Sequence, residues 1–106
     1  MITIDVSKDF SRFPSGRYEK NGTTSGEAFR KKLLEPALRE GTDKVQVLLD
    51  GTIGYGSSFL EEAFGGLVRV SGFGARELLA RLELVSKDDA LLMELREYIN
   101  EAATRH

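Results

Sequence analysis

Residues 44–70, KVQVLLDGTIGYGSSFLEEAFGGLVRV, constrain the fold of this chain more than any other stretch. Val45, Val47, Leu48 and Leu49 make a nearly continuous apolar run, the pattern of a strand covered on both faces in a parallel sheet. Asp50-Gly51 ends the run, and Gly54 and Gly56 allow backbone angles that other residues resist. Phe59, Leu60, Ala63, Phe64, Leu67 and Val68 then recur as one apolar helical stripe, with Glu61, Glu62 and Arg69 on the other side. Ser57 and Ser58 therefore stand between the carboxyl end of a strand and the amino end of a helix. Open α/β sheets place ligands there, and the helix dipole favours an anion. Gly65-Gly66 costs about 1 kcal/mol per residue against alanine in mid-helix, which marks tight packing, internal or external.

The rest of the chain supplies elements to pack around this unit. Ile2, Ile4 and Val6 alternate with polar residues, as in a half-buried strand near a sheet edge. Phe10 and Phe13 extend that strand or begin a second short one. Residues 13–26, rich in Pro, Gly, Ser and Asn, read as a loop or hairpin with room for a short strand around Arg17 to Glu19. Thr24-Ser25-Gly26-Glu27 is a capping-box pattern opening a helix whose buried stripe is Phe29, Leu33, Leu34, Ala37 and Leu38. Pro36 inside it predicts a kink or a new helical turn, and Gly41 a stop. Arg30, Lys31 and Lys32 read as a solvated basic face, with contact to an acidic partner or a phosphate as the alternative. After a turn at residues 71–74, Ala75 to Arg81 reads as a short helix burying Leu78 and Leu79, followed by a strand through Leu82, Leu84 and Val85; ARELLARLEL also fits one helix. Ser86-Lys87-Asp88-Asp89 caps a last helix with Leu91, Leu95, Tyr98, Ile99 and Ala102 on its stripe, fraying at Thr104-Arg105-His106. The alternation argues for a single α/β domain over residues 1–106.

Composition narrows the function. A formal charge of −2 and a pI near 5.4 argue against a generic nucleic-acid surface. The absence of cysteine removes disulfides, thiol catalysis and zinc–thiolate sites together, and fits a cytosolic protein. No apolar run approaches the roughly 20 residues of a membrane span, and the first residues lack a signal-peptide pattern.

Gly51 to Ser58, GTIGYGSS, is close to the phosphate-loop pattern G-x-x-x-x-G-K-[ST], but Ser57 stands where the lysine belongs, so the charge needed at the terminal phosphates is missing. Neither serine sits in a G-x-S-x-G elbow, and the sole histidine, His106, is the last residue, which leaves a serine nucleophile without a positioned base and a transition metal without ligands. Glu61 and Glu62 are adjacent on a helix and point about 100° apart, so they make a polar face instead of a converging acid/base pair. Ser58-Phe59-Leu60-Glu61 is itself a capping box, in which Ser58 accepts the Glu61 N–H and Glu61 returns the bond. A hydroxyl at this exposed helix start also suits phosphorylation, which would put nearly two negative charges beside Glu61 and Glu62.

At these residues the chain resembles a known family. VQVLLDGTIGYGSSFLEEAFGGLV is similar to the strand–turn–serine-pair–helix unit of the anti-sigma-factor antagonists of the STAS family. With FSRFPSGRYEKNGTTSGEAFRKKLLEPAL it more closely resembles the STAS-like family of uncharacterised bacterial proteins, over residues 5 to about 70. The resemblance implies a STAS-like α/β domain with a small mixed or mostly parallel sheet of about four strands and helices packed on it. It implies that Ser58 is a phosphoacceptor with Ser57 beside it, and that Gly16-Arg17-Tyr18 starts an edge strand whose surface is a candidate partner contact, a plain turn being the alternative. Gly56 stands where the antagonists have an aspartate, and Phe59 where they have a glycine.

The resulting expectation is a non-enzymatic, cytosolic regulatory module without cofactor, docking a protein partner such as a histidine-kinase-like ATPase or anti-sigma factor. The expected contact surface is Thr52, Ile53, Tyr55, Gly56, Ser57, Ser58, Glu61 and Glu62. A small-ligand or nucleotide sensor using loop 51–58, and a structural subunit of a complex, are the alternatives.

Overall fold

The computed structural model describes residues 1–104, so the readings that concern Arg105 and His106 lie outside the described residues. Strands β1 (Ile2–Asp5), β2 (Val45–Leu48) and β3 (Leu82–Val85) form a sheet of order β1-β2-β3, parallel throughout. The expected sheet of about four strands, mixed or mostly parallel, is thus a three-stranded, wholly parallel one. Val6–Phe10 winds into a π-helical turn closed by Ser11 N–H on the Val6 carbonyl, so the strand proposed through Phe10 and Phe13 does not form. The Asp5 carboxylate draws the chain into that turn by accepting from both the amide and the hydroxyl of Ser7. No strand forms at Arg17 to Glu19 or at Gly16-Arg17-Tyr18; Glu19–Asn21 is a 3₁₀ turn. The carbonyls of Gly16 and Arg17 serve helix α1 instead, accepting the free N–H groups of Gly26 and Glu27.

Adding strands successively in one direction through right-handed crossovers puts all intervening helices on one face of the sheet. Burial follows that rule. Ile4, Val45, Val47 and Leu82 are buried, whereas Thr3 and Glu83 on the opposite face are exposed and joined through Gln46, which accepts from Thr3 and donates to Glu83. The reading of β2 as covered on both faces is therefore corrected. Its apolar run fills one face with Val45, Val47 and Leu49, and only Leu48 adds apolar surface to the open one.

Helix α1 covers residues 26–39. It begins as Gly26–Phe29, widens to a π turn at Arg30–Leu34 and resumes as Glu35–Arg39, with Pro36 in its opening turn. The wide turn lies just ahead of the proline, which has no N–H to continue the ladder, so the expected restart takes this form. Its cap is Ser25, whose hydroxyl accepts the Ala28 N–H; the box from Thr24 to Glu27 does not form, because Glu27 accepts the Glu19 N–H. Helix α2 covers residues 57–69 with the same construction: Ser57–Leu60, a π turn at Glu61–Gly65, and Gly66–Arg69. Helices α3 (Ala75–Arg81) and α4 (Asp89–Thr104) complete the layer. Leu78 of α3 is buried, but Leu79, expected beside it, is 37% exposed, because α3 lays a single side on the core. Asp88 caps α4 through the Leu91 amide, and Leu95, Ile99 and Ala102 are buried as the stripe predicts. No helix of the described residues is long and apolar enough to cross a membrane.

The core between sheet and helices is aromatic at its centre. Phe29 lies 5.9 Å from Phe59 and 6.3 Å from Phe64, and Phe10 closes on Phe29 at 5.2 Å, within the range of favourable ring contacts. Phe59, standing where the resemblance leads one to expect glycine, is buried in this cluster. The glycines that looked costly in α2 permit close packing inside the molecule. A Cβ on Gly66 would overlap the Arg30 guanidinium, and one on Gly65 would come within 2.7 Å of the Glu61 carboxylate. Gly66→Ala is therefore expected to lose about 1–3 kcal/mol in urea unfolding despite alanine's helix preference. Gly41→Ala, with nothing within 4 Å, should stay within about 0.5 kcal/mol of the parent.

Candidate functional site

The site is assembled where the carboxyl end of β2 meets the amino end of α2. Gly51 and Gly54 adopt φ of 102° and 142°, so the turn after β2 uses these two glycines; Gly56, expected to share that role, has an ordinary extended backbone with φ −77°. At Gly51 a side chain would also meet the Ser7 hydroxyl at 2.7 Å. The turn is fixed at several points. Asp50 accepts from the Ser86 hydroxyl and the Lys87 amide, the Ile53 amide donates to the Arg12 carbonyl at 3.0 Å, and the Tyr55 hydroxyl donates to the Leu49 carbonyl at 2.6 Å. Burial raises the Tyr55 phenol above its ordinary range, which keeps it a donor. Thr52 and Tyr55 are half-buried, whereas Ile53 is 74% exposed and stands at the rim.

Gly56 caps α2, making Ser57 and Ser58 its first two residues, both exposed. No side chain caps this helix. The capping box assigned to Ser58 and Glu61 is thus corrected: with the extended cap at Gly56, Ser58 lies inside the helix, and the Glu61 N–H bonds the carbonyls of Ser57 and Ser58. Neither hydroxyl is held in a capping role.

Glu61 and Glu62 do not form the diverging polar face that helical spacing predicts. Arg17 Nη1 donates to Glu61 at 2.5 Å and to Glu62 at 3.3 Å, and Arg69 also bonds both, reaching Glu62 at 3.1 Å. Glu62 is only 3% exposed, and Arg30, 2% exposed, donates from Nη1 to its carboxylate and to its carbonyl, each at 2.7 Å. Arg30 is therefore no part of a solvated basic face, although Lys31 and Lys32 are exposed as expected. Its Nε reaches Glu35 at 3.2 Å, and Glu35 accepts from the Ser71 hydroxyl. The result is a network of four arginines (Arg17, Arg30, Arg69 and, through Glu35, Arg39) and three glutamates spanning α1, α2 and the 13–25 loop. Burial by itself would raise the Glu61 carboxyl; the hydrogen bonds from Arg17 and Arg69 outweigh it and hold it below the usual carboxylate range. At Glu35 burial is likewise outweighed, by Ser71 and Arg30.

Two clefts flank the helix start. One of ≈ 330 Å³ lies against the turn, between Thr52, Ile53, Tyr55 and the opening of α4 at Asp88, Leu91 and Glu94. The other, ≈ 420 Å³, is walled by Arg17, Tyr18, Ser57, Glu61, Arg69 and Tyr98. Of the expected contact residues, Ile53, Gly56, Ser57 and Ser58 face solvent, Thr52, Tyr55 and Glu61 partly so, and Glu62 is removed from it. Sequence reasoning marked Arg17, with Gly16 and Tyr18, as a separate partner contact and did not join it, Arg69 or Tyr98 to the glutamates. Arg69 shares the polar side of the helix with both glutamates in the sequence itself; for Arg17 and Tyr98 the signal was indirect, two adjacent glutamates near a glycine pair that clears space for side chains from elsewhere.

The profile of the STAS-like domain of unknown function (DUF4325) matches residues 25–91, from the cap of α1 to the first turn of α4, and the chain belongs to that family. No curated protein and no solved structure matches it.

Removing one partner of the buried pair should be severe. Glu62→Gln is expected to cost about 3–5 kcal/mol in urea unfolding, while Arg30→Met with Glu62→Leu should recover most of that loss. The acid limb of stability is a second check. Glu61 and Glu35 have lowered folded-state pKa values, so their contribution is complete above the ordinary glutamate value of 4.5 and is lost as pH falls through the folded values. Unfolding followed between about pH 5 and pH 2 should show this loss, with a shallower decline in Glu61→Gln.

Proposed function

We propose that this STAS-like domain is a non-enzymatic regulatory module that docks a protein partner through the turn at 52–56 and the start of α2, and that phosphorylation of its serine pair controls the docking. The observation that carries the reading is the position of Ser57 and Ser58. Both are exposed in the first turn of a helix capped by Gly56, so both hydroxyls are available to a kinase without loss of a cap. The turn beside them is rigid, tied to Arg12, Leu49, Ser86 and Lys87, and it presents Ile53 as an apolar contact. A phosphoryl group there adds nearly two negative charges to a surface that already carries Glu61, enough to repel a partner seated on the same face. The resemblance to anti-sigma-factor antagonists suggests the partner class, a histidine-kinase-like ATPase or an anti-sigma factor acting in the cytosol.

The ≈ 330 Å³ cleft supports a second reading, a small-ligand sensor. Its wall includes Asp50, Asp88 and Glu94, which oppose a phosphate and so count against a nucleotide.

Ser57→Glu and Ser58→Glu, each compared with the parent in pull-downs from native lysate and with a purified histidine-kinase-like ATPase, test the switch. At least one substitution is expected to weaken capture tenfold or more. Equal retention of the partner by all three proteins would sink it.

A further inference from the structure

We propose that Arg17 is the receiver of a phosphoryl group on Ser57, and that Ser57, not the Ser58 that the family resemblance implies, is the serine whose modification this fold reads. The proposal rests on the reading of the serine pair as a switch and adds which hydroxyl is used and what answers it.

Ser57 forms part of the wall of the ≈ 420 Å³ cleft that also holds Arg17 and Arg69; Ser58 does not. Helical spacing agrees, because Ser57 and Glu61 are four residues apart and share one face, and of the two carboxylates that bind both arginines Glu61 is the one that lines this cleft. A dianion on Ser57 would therefore meet Glu61 and the guanidinium groups of Arg17 and Arg69 together. Of the two tyrosines of the wall, Tyr18 and Tyr98, Tyr98 is pushed up to about 12 by its hydrogen bond to Glu94 and stays neutral.

Arg17 can be released without stranding its partners. Its guanidinium is held by Glu61 and Glu62, and each of these keeps another arginine when Arg17 leaves: Glu61 retains Arg69, and Glu62 retains Arg69 and the buried Arg30. Its backbone need not move, because the Gly16 and Arg17 carbonyls remain bound to the first amides of α1. Arg17 thus exchanges a shared carboxylate for a phosphate, a better partner for its planar fork. The cleft wall, which carries two arginines and one glutamate, changes from cationic to anionic while the fold is kept.

The modification draws on a nucleoside triphosphate held by the partner kinase. The Ser57 oxygen bonds the γ-phosphorus, the bond from that phosphorus to the β–γ bridging oxygen breaks, the nucleoside diphosphate departs, and the hydroxyl proton passes to a base of the kinase.

The test uses the full chain carrying phosphoserine at position 57 or at position 58, with the second phosphate ionisation followed by ³¹P NMR. Phosphoserine normally loses this proton near pH 6. At position 57 the proton should be held at least tenfold more weakly than at position 58. Arg17→Gln should abolish the difference, and Arg17→Lys, which keeps the charge without the fork, should narrow it. Identical titration at the two positions overturns the proposal with no variant needed, as does a difference that survives Arg17→Gln. No partner enters this experiment. A titration difference together with partner binding indifferent to either phosphoserine would refute the switch and leave the phosphate site standing.

Discussion

Arg30 and Glu62 meet at 2.7 Å in a place almost closed to water, and most of the helical layer is arranged to let them do so. A lone charge there would be prohibitive to bury, so each residue makes the other possible. The carbonyl of Glu62 and the carboxylate of Glu35 take further donors of the guanidinium. Both members lie in π turns, one on α1 and one on α2, where the widened ladder changes the direction of successive side chains. Gly66 is required because the guanidinium occupies the volume that a side chain would fill. One ion pair thus joins the two departures from regular helix and accounts for a glycine that helix propensity alone would penalise.

The same pair orders the surface. Glu62 is anchored inside, so its second carboxylate oxygen and the neighbouring Glu61 draw Arg17 and Arg69 to the mouth of the buried site. The network grades from an unexposed centre to half-exposed arginines at the rim. Its inner part fixes α1 against α2. Its outer part has duplicate partners and can exchange them, a requirement for any charge-based control of this surface.

The one-sided sheet has a similarly simple origin. Strands laid down in the order β1, β2, β3 with right-handed connections cannot place helices on both faces. The carboxyl ends of the strands, the turn after β2 and the amino end of α2 converge at one end of this two-layer structure, where the turn and the serine pair are exposed together.

Much of the architecture is legible in local pattern. The strands at Ile2 and Val45, the stripes of the helices and the Pro36 restart all follow from periodicity and backbone chemistry, since each depends on residues a few positions apart, whereas residues 75–84 fit one helix as well as the helix and strand that form. The exposed serine pair between strand and helix follows from the same local reading. What depended on distant partners did not. Val45–Leu49 is compatible with one covered face or two, and only the strand order decides. Ser58-Phe59-Leu60-Glu61 satisfies a capping box, yet Gly56 takes the cap while Glu61 answers to Arg17, 44 positions earlier. Glu62 and Arg30 each read as surface charges, because burial of a charge is a property of the pair, and the pair is 32 residues apart in sequence. The sequence by itself determined the strands at Ile2 and Val45, the helical stripes and where the serines stand. Only the tertiary structure decided which charges are buried, which serine faces the arginines and which face of the sheet is left open, because those outcomes depend on contacts between segments that local pattern does not encode.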